Sequence, residues 1–281
     1  MLTRFAPAPT GWLHLGHALN AEHVWRSKAQ VLLRIEDHDR ERCRPEYEAG
    51  ILEDLDWLGY RPDFPTVRQS ERDAIYRQAV DALVAQGLVY GCDCTRKEIE
   101  ARLPRRRRWP AEAGSARREA GVAPHEARDD AELWYSGHCH QRGLPLTVGA
   151  GWRVRMDPGV ERFDDAMAGP REQDPSQQCG DLLIRDRLGN WTYQFAAAVD
   201  DFRQGIDLVI RGMDLLPSTG RQIRIARLLG RTQPATFAHH PLIMKSADRK
   251  LSKSDGDTGV RDLRARGWTP EEVKAAARLP R

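Results

Sequence analysis

Short apolar runs alternate with amphipathic stretches along the first third of the chain. Residues 31–35 form a mostly apolar run of strand length, which is typical of a parallel strand buried on both faces. A shorter strand is predicted at Thr3–Ala6, because Pro7 ends the extended stretch. Between them, residues 17–28 carry apolar side chains at helical spacing. Strand and helix in alternation predict an α/β fold with a parallel sheet.

Two amphipathic helices are predicted next, at 45–58 and 70–86, and Gly59 and Gly87 follow them as helix-ending residues. After residue 150 the apolar pattern again changes between strand-like and helix-like stretches. The elements predicted there are strands at 152–156, 182–185 and 207–211 and helices at 191–199, 219–229 and 270–277.

The composition is that of an ordinary globular protein. The 281 residues are 40% hydrophobic and 30% charged, and no apolar run is long enough to cross a membrane. The N-terminus lacks the apolar core and cleavage site of a signal peptide, so we expect a cytoplasmic protein without a membrane partner. A net charge of +3 is compatible with a polyanionic partner but does not demonstrate one.

The segment between the first predicted strand and the first predicted helix has the features of a phosphate-binding turn. A proline-rich stretch leads through Gly11 to His14, Gly16 and His17 at the start of the helix. In a doubly wound sheet a nucleotide binds here, since the helix amides attract phosphate and a glycine lets the backbone approach. The alternative is a pair of surface histidines at a helix start. The position directly after an N-terminal strand favours the phosphate site.

A second group of phosphate-binding candidates lies near the other end of the chain. Lys250, Ser252 and Lys253 belong to the segment KLSKS, which is followed by DGD. Two lysines flanked by hydroxyls predict a cationic loop that closes on a pyrophosphate leaving group. Taken alone, the segment is more typical of a solvated loop. The histidine pair at the opposite end of the chain favours the catalytic interpretation.

The two segments together resemble a known family. HLGH and KLSKS are similar to the HIGH and KMSKS signatures of class I aminoacyl-tRNA synthetases, and RFAPAPTG and LRIED resemble the glutamyl-specific members. The resemblance implies an α/β fold, with a Rossmann-type parallel-sheet catalytic core, a small zinc-bearing insert and a short helical C-terminal region. It also implies that ATP binds together with Mg²⁺. The implied catalytic residues are His14, His17 and Lys253, and the implied ATP-binding residues are His14, Gly16, His17, Lys250, Ser252 and Lys253.

Glutamate presents two carboxylates and one ammonium, so its pocket needs at least one arginine and one carboxylate. The resemblance implies that Arg4 and Arg211 bind carboxylate with help from the Tyr193 hydroxyl, and that Glu36 pairs with the ammonium. The alternative for Arg211 and Glu36 is an ordinary ion pair at a strand end. The other implied glutamate-binding residues follow the first strand and are Phe5, Ala6, Pro7 and Ala8. The nearby acids interpreted as solvated or capping residues are Asp37, Asp39, Asp200 and Asp201.

Three of the five cysteines lie around one short arm of the chain, and an odd number of cysteines argues against a disulfide framework. A C-x-C pair supplies two zinc ligands from one turn. The resemblance implies the full ligand set Cys92, Cys94, Tyr135 and Cys139. Zinc chemistry alone favours His138 or His140 over the tyrosine, because phenolate is a rarer ligand; the other alternative is a group of buried free thiols. We expect one structural zinc ion per chain.

Residues 96–131 interrupt the alternating pattern. They include Arg105 to Arg108 and show little apolar periodicity, so we expect an exposed excursion within an inserted subdomain. These arginines are candidates for contact with tRNA phosphates, although a charge run is more often a solvated face. The predicted domains are a first Rossmann half at 1–90, a zinc-bearing insert at 91–150, a second Rossmann half at 151–245, and the KLSKS loop with a short helical C-terminus at 246–281.

The chain ends at Arg281, soon after KLSKS, so we expect no anticodon-binding domain. This layout resembles a short branch of the glutamyl family that transfers glutamate to the queuosine at the wobble position of tRNA(Asp). The resemblance implies ATP, L-glutamate and queuosine-containing tRNA(Asp) as partners, and we expect a monomer. The alternatives are a short synthetase that charges the 3′ end of tRNA(Glu) or tRNA(Gln), and a catalytically silent, zinc-bearing RNA-binding relative.

Overall fold

A seven-stranded sheet, parallel except at one edge strand, forms the centre of the fold. The computed structural model describes residues 1–103, 133–246, 249–250 and 259–278. Strands and helices are numbered along the chain. In sheet order the strands are β3 (Val67–Arg68), β2 (Gln30–Ile35), β1 (Leu2–Phe5), β9 (Leu208–Gly212), β10 (Thr236–His240), β6 (Glu161–Asp165) and β7 (Gly169–Gln173).

A separate three-stranded antiparallel sheet consists of β4 (Val89–Cys92), β5 (Gly151–Val154) and β8 (Leu182–Arg185). Strands β11 (Met244–Ser246) and β12 (Arg249–Lys250) pair with each other. Because β4 ends at Cys92, the three-stranded sheet fixes the position of the first cysteine of the C-x-C pair.

Helices cover the large sheet and connect its strands. No described helix is both long and apolar enough to cross a membrane. The α-helices within the described ranges are α1 (Leu15–Arg26), α2 (Pro45–Trp57), α3 (Asp73–Val84), α4 (Arg96–Arg102), α5 (Pro175–Gln178), α6 (Tyr193–Arg203), α7 (Thr219–Leu228), α8 (Val260–Ala265) and α9 (Pro270–Arg278). Short 3₁₀ helices within the same ranges are Gln69–Glu71, His140–Arg142 and Met213–Ser218.

Strand β2 shows why the parallel strands coincide with the apolar runs. All of its residues from Val31 to Ile35 are buried, because both faces of the strand pack against other elements. On one face, Leu33 and Ile35 join a core that includes side chains of α1 and α2. On the other face, Leu32 joins a second core with Val209 of β9. Arg34 is the exception, a buried charge within an apolar strand.

The predicted α/β fold with a mostly parallel central sheet is confirmed. The strand predicted at 182–185 has the predicted bounds, and the helix predicted at 191–199 begins at Tyr193 and continues to Arg203. Strands β6, β7 and β10 were not predicted, because their sequences ERFDD, GPREQ and TFAHH contain no apolar run. Strands β5 and β8 lie in the three-stranded sheet, and the domain boundaries drawn from the sequence stay a prediction.

Candidate active site and metal cluster

The candidate active site lies where four neighbouring strands of the large sheet end. Strands β2, β1, β9 and β10 are adjacent in that order, and parallel strands have their carboxyl ends at one edge of the sheet. Arg4 on β1 donates from Nη1 to the carbonyl of Ile210 on β9 at 3.2 Å. Glu36 directly follows β2, and Arg211 lies near the end of β9. This edge is where open α/β sheets bind ligands.

His14 and His17 together cap the N-terminus of α1. His14 is the N-cap residue, and its Nδ1 accepts a hydrogen bond from the amide of Gly16 at 3.0 Å. Nδ1 of His17 accepts in turn from the amide of His14 at 3.1 Å. The two ring centroids are 3.9 Å apart. Both imidazoles therefore lie side by side at the positive end of the helix dipole.

These caps determine which ring nitrogen carries the proton. A neutral imidazole whose Nδ1 accepts a hydrogen bond carries its proton on Nε2. The caps therefore select the Nε2–H tautomer for both His14 and His17, and each can donate from that atom to an anion. Gly16 permits this packing, since a Cβ there would lie 2.8 Å from Cε1 of His14. The turn thus offers two N–H donors to a phosphate group.

Of the KLSKS segment, the structure describes only the backbone of Lys250. Lys250 ends β12, whereas Ser252 and Lys253 lie outside the described residues. Gly259, further along the chain, forms an antiparallel bridge with His14. The backbone that resumes after the segment is therefore hydrogen-bonded to the turn that carries the two histidines.

Arg34, which the sequence analysis did not single out, is fully buried among three carboxylates. Its Nη1 donates to Asp201 at 2.8 Å and its Nη2 to Glu36 at 3.3 Å. Asp200 lies 4.0 Å from its Nε. Such pairing is needed because a buried charge without a partner costs several kcal/mol. The signal in the sequence is a single charged residue inside an otherwise apolar strand.

Asp200 and Asp201 are buried, so their interpretation as solvated or capping residues was wrong. Asp201 accepts from Nε of Arg4 at 3.1 Å. Asp37 and Asp39 do accept hydrogen bonds from backbone amides, as that interpretation predicts. Asp200 accepts hydrogen bonds from residues in a different part of the chain, namely Gln69 at 2.9 Å, Arg72 at 2.6 Å and Tyr76 at 2.8 Å.

Glu36 and Tyr193 are polar side chains near the two arginines predicted to bind carboxylate. Burial raises the pKa of Glu36, and the positive charge of Arg34 opposes that rise. Burial, followed by the charge of Glu36, raises the pKa of Tyr193, so its hydroxyl stays protonated. A protonated hydroxyl can donate to a carboxylate, and an ammonium ion beside Glu36 would favour the ionised carboxylate.

Arg211 is a buried guanidinium whose hydrogen-bond partners, among the described residues, are uncharged. It is 3% exposed, and its Nε donates to Nε2 of His239 at 2.9 Å. Its Nη atoms donate to Gln222 at 2.6 Å and Thr219 at 2.8 Å. Burial lowers the pKa of Arg211. A buried cation paired only with neutral groups is costly until an anion binds, so this position suits a ligand carboxylate.

The backbone from Phe5 to Ala8 carries β1 into the histidine turn. Phe5 and Pro7 are buried, whereas Ala6 and Ala8 are partly exposed. The amide of Glu36 donates to the carbonyl of Pro7 at 3.0 Å. This bond holds the end of β1 beside the end of β2, so the segment lies next to Glu36.

Three thiols and one phenol converge beside the three-stranded sheet. The sulfur atoms of Cys92, Cys94 and Cys139 all lie within 4.8 Å of one another, and 3.4 Å separates those of Cys94 and Cys139. The Tyr135 hydroxyl lies 3.3 Å from the sulfur of Cys92 and 3.5 Å from that of Cys94. Ligands at about 2.0–2.3 Å from a tetrahedral zinc ion are roughly 3.3–3.8 Å apart. The four donor atoms therefore fit a single ion of that kind.

Neither nearby histidine belongs to this cluster. His138 is exposed, and the ring of His140 contacts that of Tyr90 with a centroid distance of 5.2 Å. Among the described histidines, cysteines and acids, only the three cysteines are close enough together to share an ion. The structure thus brings together the four donors that the family resemblance implied.

Arg153 and Gly180 position the Tyr135 phenol. Cζ of Arg153 lies 3.8 Å from the centre of the ring, a cation–π contact that favours an electron-rich phenol. Tyr135 forms a backbone bridge with Gly180, whose φ is +64° and where a Cβ would overlap the Tyr135 carbonyl. Burial raises the pKa of Cys94 to about 11, so a bound metal ion would have to displace its proton.

Comparison with known proteins identifies relatives along nearly the whole chain. Residues 1–279 match the family described as tRNA synthetases class I (E and Q), catalytic domain. The chain is 36% identical to the Glutamyl-Q tRNA(Asp) synthetase of Rhodobacter capsulatus over 290 aligned positions, which cover 98% of each chain. It is 43% identical to the Glutamyl-Q tRNA(Asp) synthetase of Bordetella bronchiseptica, over 90% of this chain and 75% of that protein.

A solved structure with a similar fold is a glutamate tRNA ligase from Elizabethkingia meningosepticum, in complex with its amino acid. The TM-score is 0.68 at 28% identity, and the match covers 92% of this chain. Since it covers 52% of that ligase, the chain spans about half the length of the solved structure.

Proposed function

The chain belongs to the class I tRNA synthetase family for glutamate and glutamine, and we propose that it is a ligase that couples L-glutamate to the queuosine of tRNA(Asp). Arg211 carries the assignment of an acidic substrate, because this buried cation is paired with neutral groups and lies at the ligand-binding edge of the sheet. The names of the two relatives above support queuosine-containing tRNA(Asp) as the acceptor.

Glutamate binds at the strand ends, with its charges opposite those of the pocket. Arg211 and the Tyr193 hydroxyl donate to the side-chain carboxylate, and Glu36 accepts from the ammonium. Arg4 retains N–H groups for the same ligand beyond its contacts with Asp201 and the Ile210 carbonyl. The backbone at Phe5, Ala6, Pro7 and Ala8 lines the adjacent turn.

In the activation step, an oxygen of the glutamate α-carboxylate attacks the α-phosphorus of ATP. The bond from that phosphorus to the bridging oxygen breaks, so glutamyl adenylate and pyrophosphate form. Negative charge grows on the departing pyrophosphate, and the Nε2–H groups of His14 and His17 donate to it. Lys253, together with Lys250 and Ser252, supplies further positive charge and donors. The backbone of Gly16 lets the phosphates approach the start of α1. Mg²⁺ bound with ATP neutralises part of the phosphate charge.

In the transfer step, a hydroxyl of the queuosine cyclopentenediol attacks the carbonyl carbon of the adenylate. An ester forms and AMP leaves with the bonding electrons of the acyl–phosphate bond. The hydroxyl proton is released as the ester forms. The two steps together consume one ATP for each glutamyl group transferred.

We further propose that the cluster of Cys92, Cys94, Tyr135 and Cys139 holds one zinc ion with a structural role. Support comes from the donor spacing and from the position of the cluster at the end of β4, where the ion would link that strand to residues 135–139. All four predicted ligand positions are protein donors, which is the closed arrangement of structural zinc sites. The expectations of a monomer and of a cytoplasmic location stay predictions.

Glutamate-dependent exchange of pyrophosphate into ATP, without tRNA, tests the activation step. We expect exchange with L-glutamate and at least about a hundredfold less with L-glutamine, because Arg211 would then face an uncharged amide. Absence of exchange with glutamate would favour the catalytically silent, RNA-binding alternative. Exchange that is faster with glutamine would contradict the assignment of the pocket.

A further inference from the structure

Behind Arg211, buried polar side chains connect its guanidinium to the turn between β6 and β7. His239 on β10 lies opposite Arg211 on β9 in the parallel register. Its Nε2 accepts from Nε of Arg211 at 2.9 Å, and its Nδ1 is hydrogen-bonded to Oδ2 of Asp165. His239 is 0% exposed and Asp165 4%. The activation and transfer steps described above use neither residue.

Asp165 is fixed by backbone amides as well as by the imidazole. Its Oδ1 accepts from the amides of Met167 at 3.0 Å and Ala168 at 2.8 Å, both in the turn after β6. Burial opposes ionisation, but His239 and these amides lower the pKa of Asp165 below its usual value. An ionised Asp165 accepts the proton on Nδ1 of His239, which leaves Nε2 as the acceptor for Arg211.

We propose that Asp165 and His239 are positioning residues that orient Arg211 while leaving its charge for the substrate. A carboxylate in direct contact would orient a guanidinium equally well but would offset its positive charge, as Asp201 does in part for Arg4. A neutral imidazole accepts the Nε–H without adding a negative charge next to the ligand. Asp165, one ring further away, fixes the orientation and tautomer of that imidazole. The proposal rests on the assignment of Arg211 to a glutamate carboxylate.

The imidazole keeps this role because it stays neutral. Burial, followed by the positive charge of Arg211, lowers the pKa of His239 to about 4. A protonated ring would present an N–H to the guanidinium and would lose the hydrogen bond. Neutrality follows from the geometry as well, since Nε2 faces an obligatory donor.

Two substitutions of His239 separate its two contacts. His239→Asn keeps an amide near Asp165 but is too short to accept from Arg211, whereas His239→Gln can place an oxygen near the position of Nε2. In the exchange assay we expect His239→Asn to raise KM for glutamate about tenfold or more, as for loss of one hydrogen bond to a charged group. KM for ATP should stay within about twofold, and His239→Gln should raise KM for glutamate less than about threefold.

A second variant and a control complete the test. Asp165→Asn removes the charge behind the imidazole and should raise KM for glutamate with little change in KM for ATP. Leu83→Ala, in the core on α3, should lower Tm without moving either KM. An unchanged KM for glutamate in both His239→Asn and Asp165→Asn, or an equal rise in both KM values, would overturn the proposal. A wild-type protein without glutamate-dependent exchange would overturn the proposed function itself, and the inference with it.

Discussion

His14 has two roles at the start of α1, and one substitution separates them. Its Nδ1 caps the helix through the amide of Gly16, and its Nε2–H is the proposed donor to phosphate. Asparagine is among the best N-cap residues but lacks a donor at the position of Nε2. His14→Asn should therefore change the free energy of unfolding by less than about 1 kcal/mol while lowering kcat of exchange about 100-fold or more. A large loss of stability together with an unchanged kcat would show that the histidine is only a cap.

We expect that lysine cannot replace Arg211 in the glutamate site. Lysine retains the charge but cannot bind His239, Gln222 and Thr219 at once, so the ammonium is not held toward the ligand. Arg211→Lys should raise KM for glutamate about 10- to 100-fold, measured by exchange. Arg162→Lys is the matched control, since Arg162 is exposed and pairs with Glu172 on the surface. An equal KM for glutamate in the two variants would show that Arg211 does not bind glutamate.

His239 should make stability depend on pH. Its folded pKa, about 4, lies below the ordinary value of 6.5, so its contribution is complete above pH 6.5 and is lost as pH falls toward 4. The charged groups that face it are Asp165, Arg211 and Arg4. Between pH 7 and pH 5 the wild type should lose about 2 kcal/mol more stability than His239→Gln. Urea unfolding at the two pH values measures this, and parallel losses would contradict it.

At the residue scale, the sequence indicates which side chains carry the chemistry better than it indicates their partners. His14 and His17 are three residues apart, so their mutual capping is a local property of one turn. Asp201 pairs with Arg4 across 197 positions and with Arg34 across 167. Such pairs depend on strand order, which no single segment encodes, and the two buried aspartates were therefore misinterpreted.

At the scale of elements, the arrangement of the four candidate zinc ligands depends on the bridge between Tyr135 and Gly180. Gly180→Ala would place a methyl group against the Tyr135 carbonyl at a residue with φ of +64°. We expect this variant to lose zinc and to be destabilised by more than about 2 kcal/mol. Gly143→Ala is the control, because Gly143 also has a positive φ, +60°, but has no atom within 4 Å of the added methyl group.

Gly143→Ala should lower the free energy of unfolding by about 1 kcal/mol, from backbone strain alone. It should retain the metal ion. Zinc content by atomic spectroscopy and Tm in parallel distinguish the two variants. Full zinc content in Gly180→Ala would mean that the Tyr135 backbone does not position the ligand set.

The elements that could be predicted are those whose buried residues follow a regular pattern along the sequence. Strand β2 is buried on both faces, so its sequence is an apolar run, and α3 has one apolar face. Strand β10 ends in two histidines, one of which contacts Arg211. Because these polar residues interrupt the apolar run, the strand could not be predicted from the hydrophobic pattern.

At the scale of the whole molecule, the large sheet and the small sheet place two different chemistries in one chain. The parallel sheet brings Arg4, Glu36 and Arg211 to one edge, and the three-stranded sheet carries the cysteine cluster. The fold class could be predicted because alternating strands and helices leave few arrangements. Arg105 to Arg108 lie outside the described residues, so their contact with tRNA stays a prediction.

The acceptor is the central claim at this scale, and one measurement tests it most directly. The protein is incubated with labelled L-glutamate, ATP and tRNA(Asp), prepared either with or without queuosine. We predict label on queuosine-containing tRNA(Asp) only, retained after the 3′-terminal adenosine is removed. Label at the 3′ adenosine of tRNA(Asp) lacking queuosine, or of tRNA(Glu), would contradict the account and favour a synthetase that charges the tRNA end.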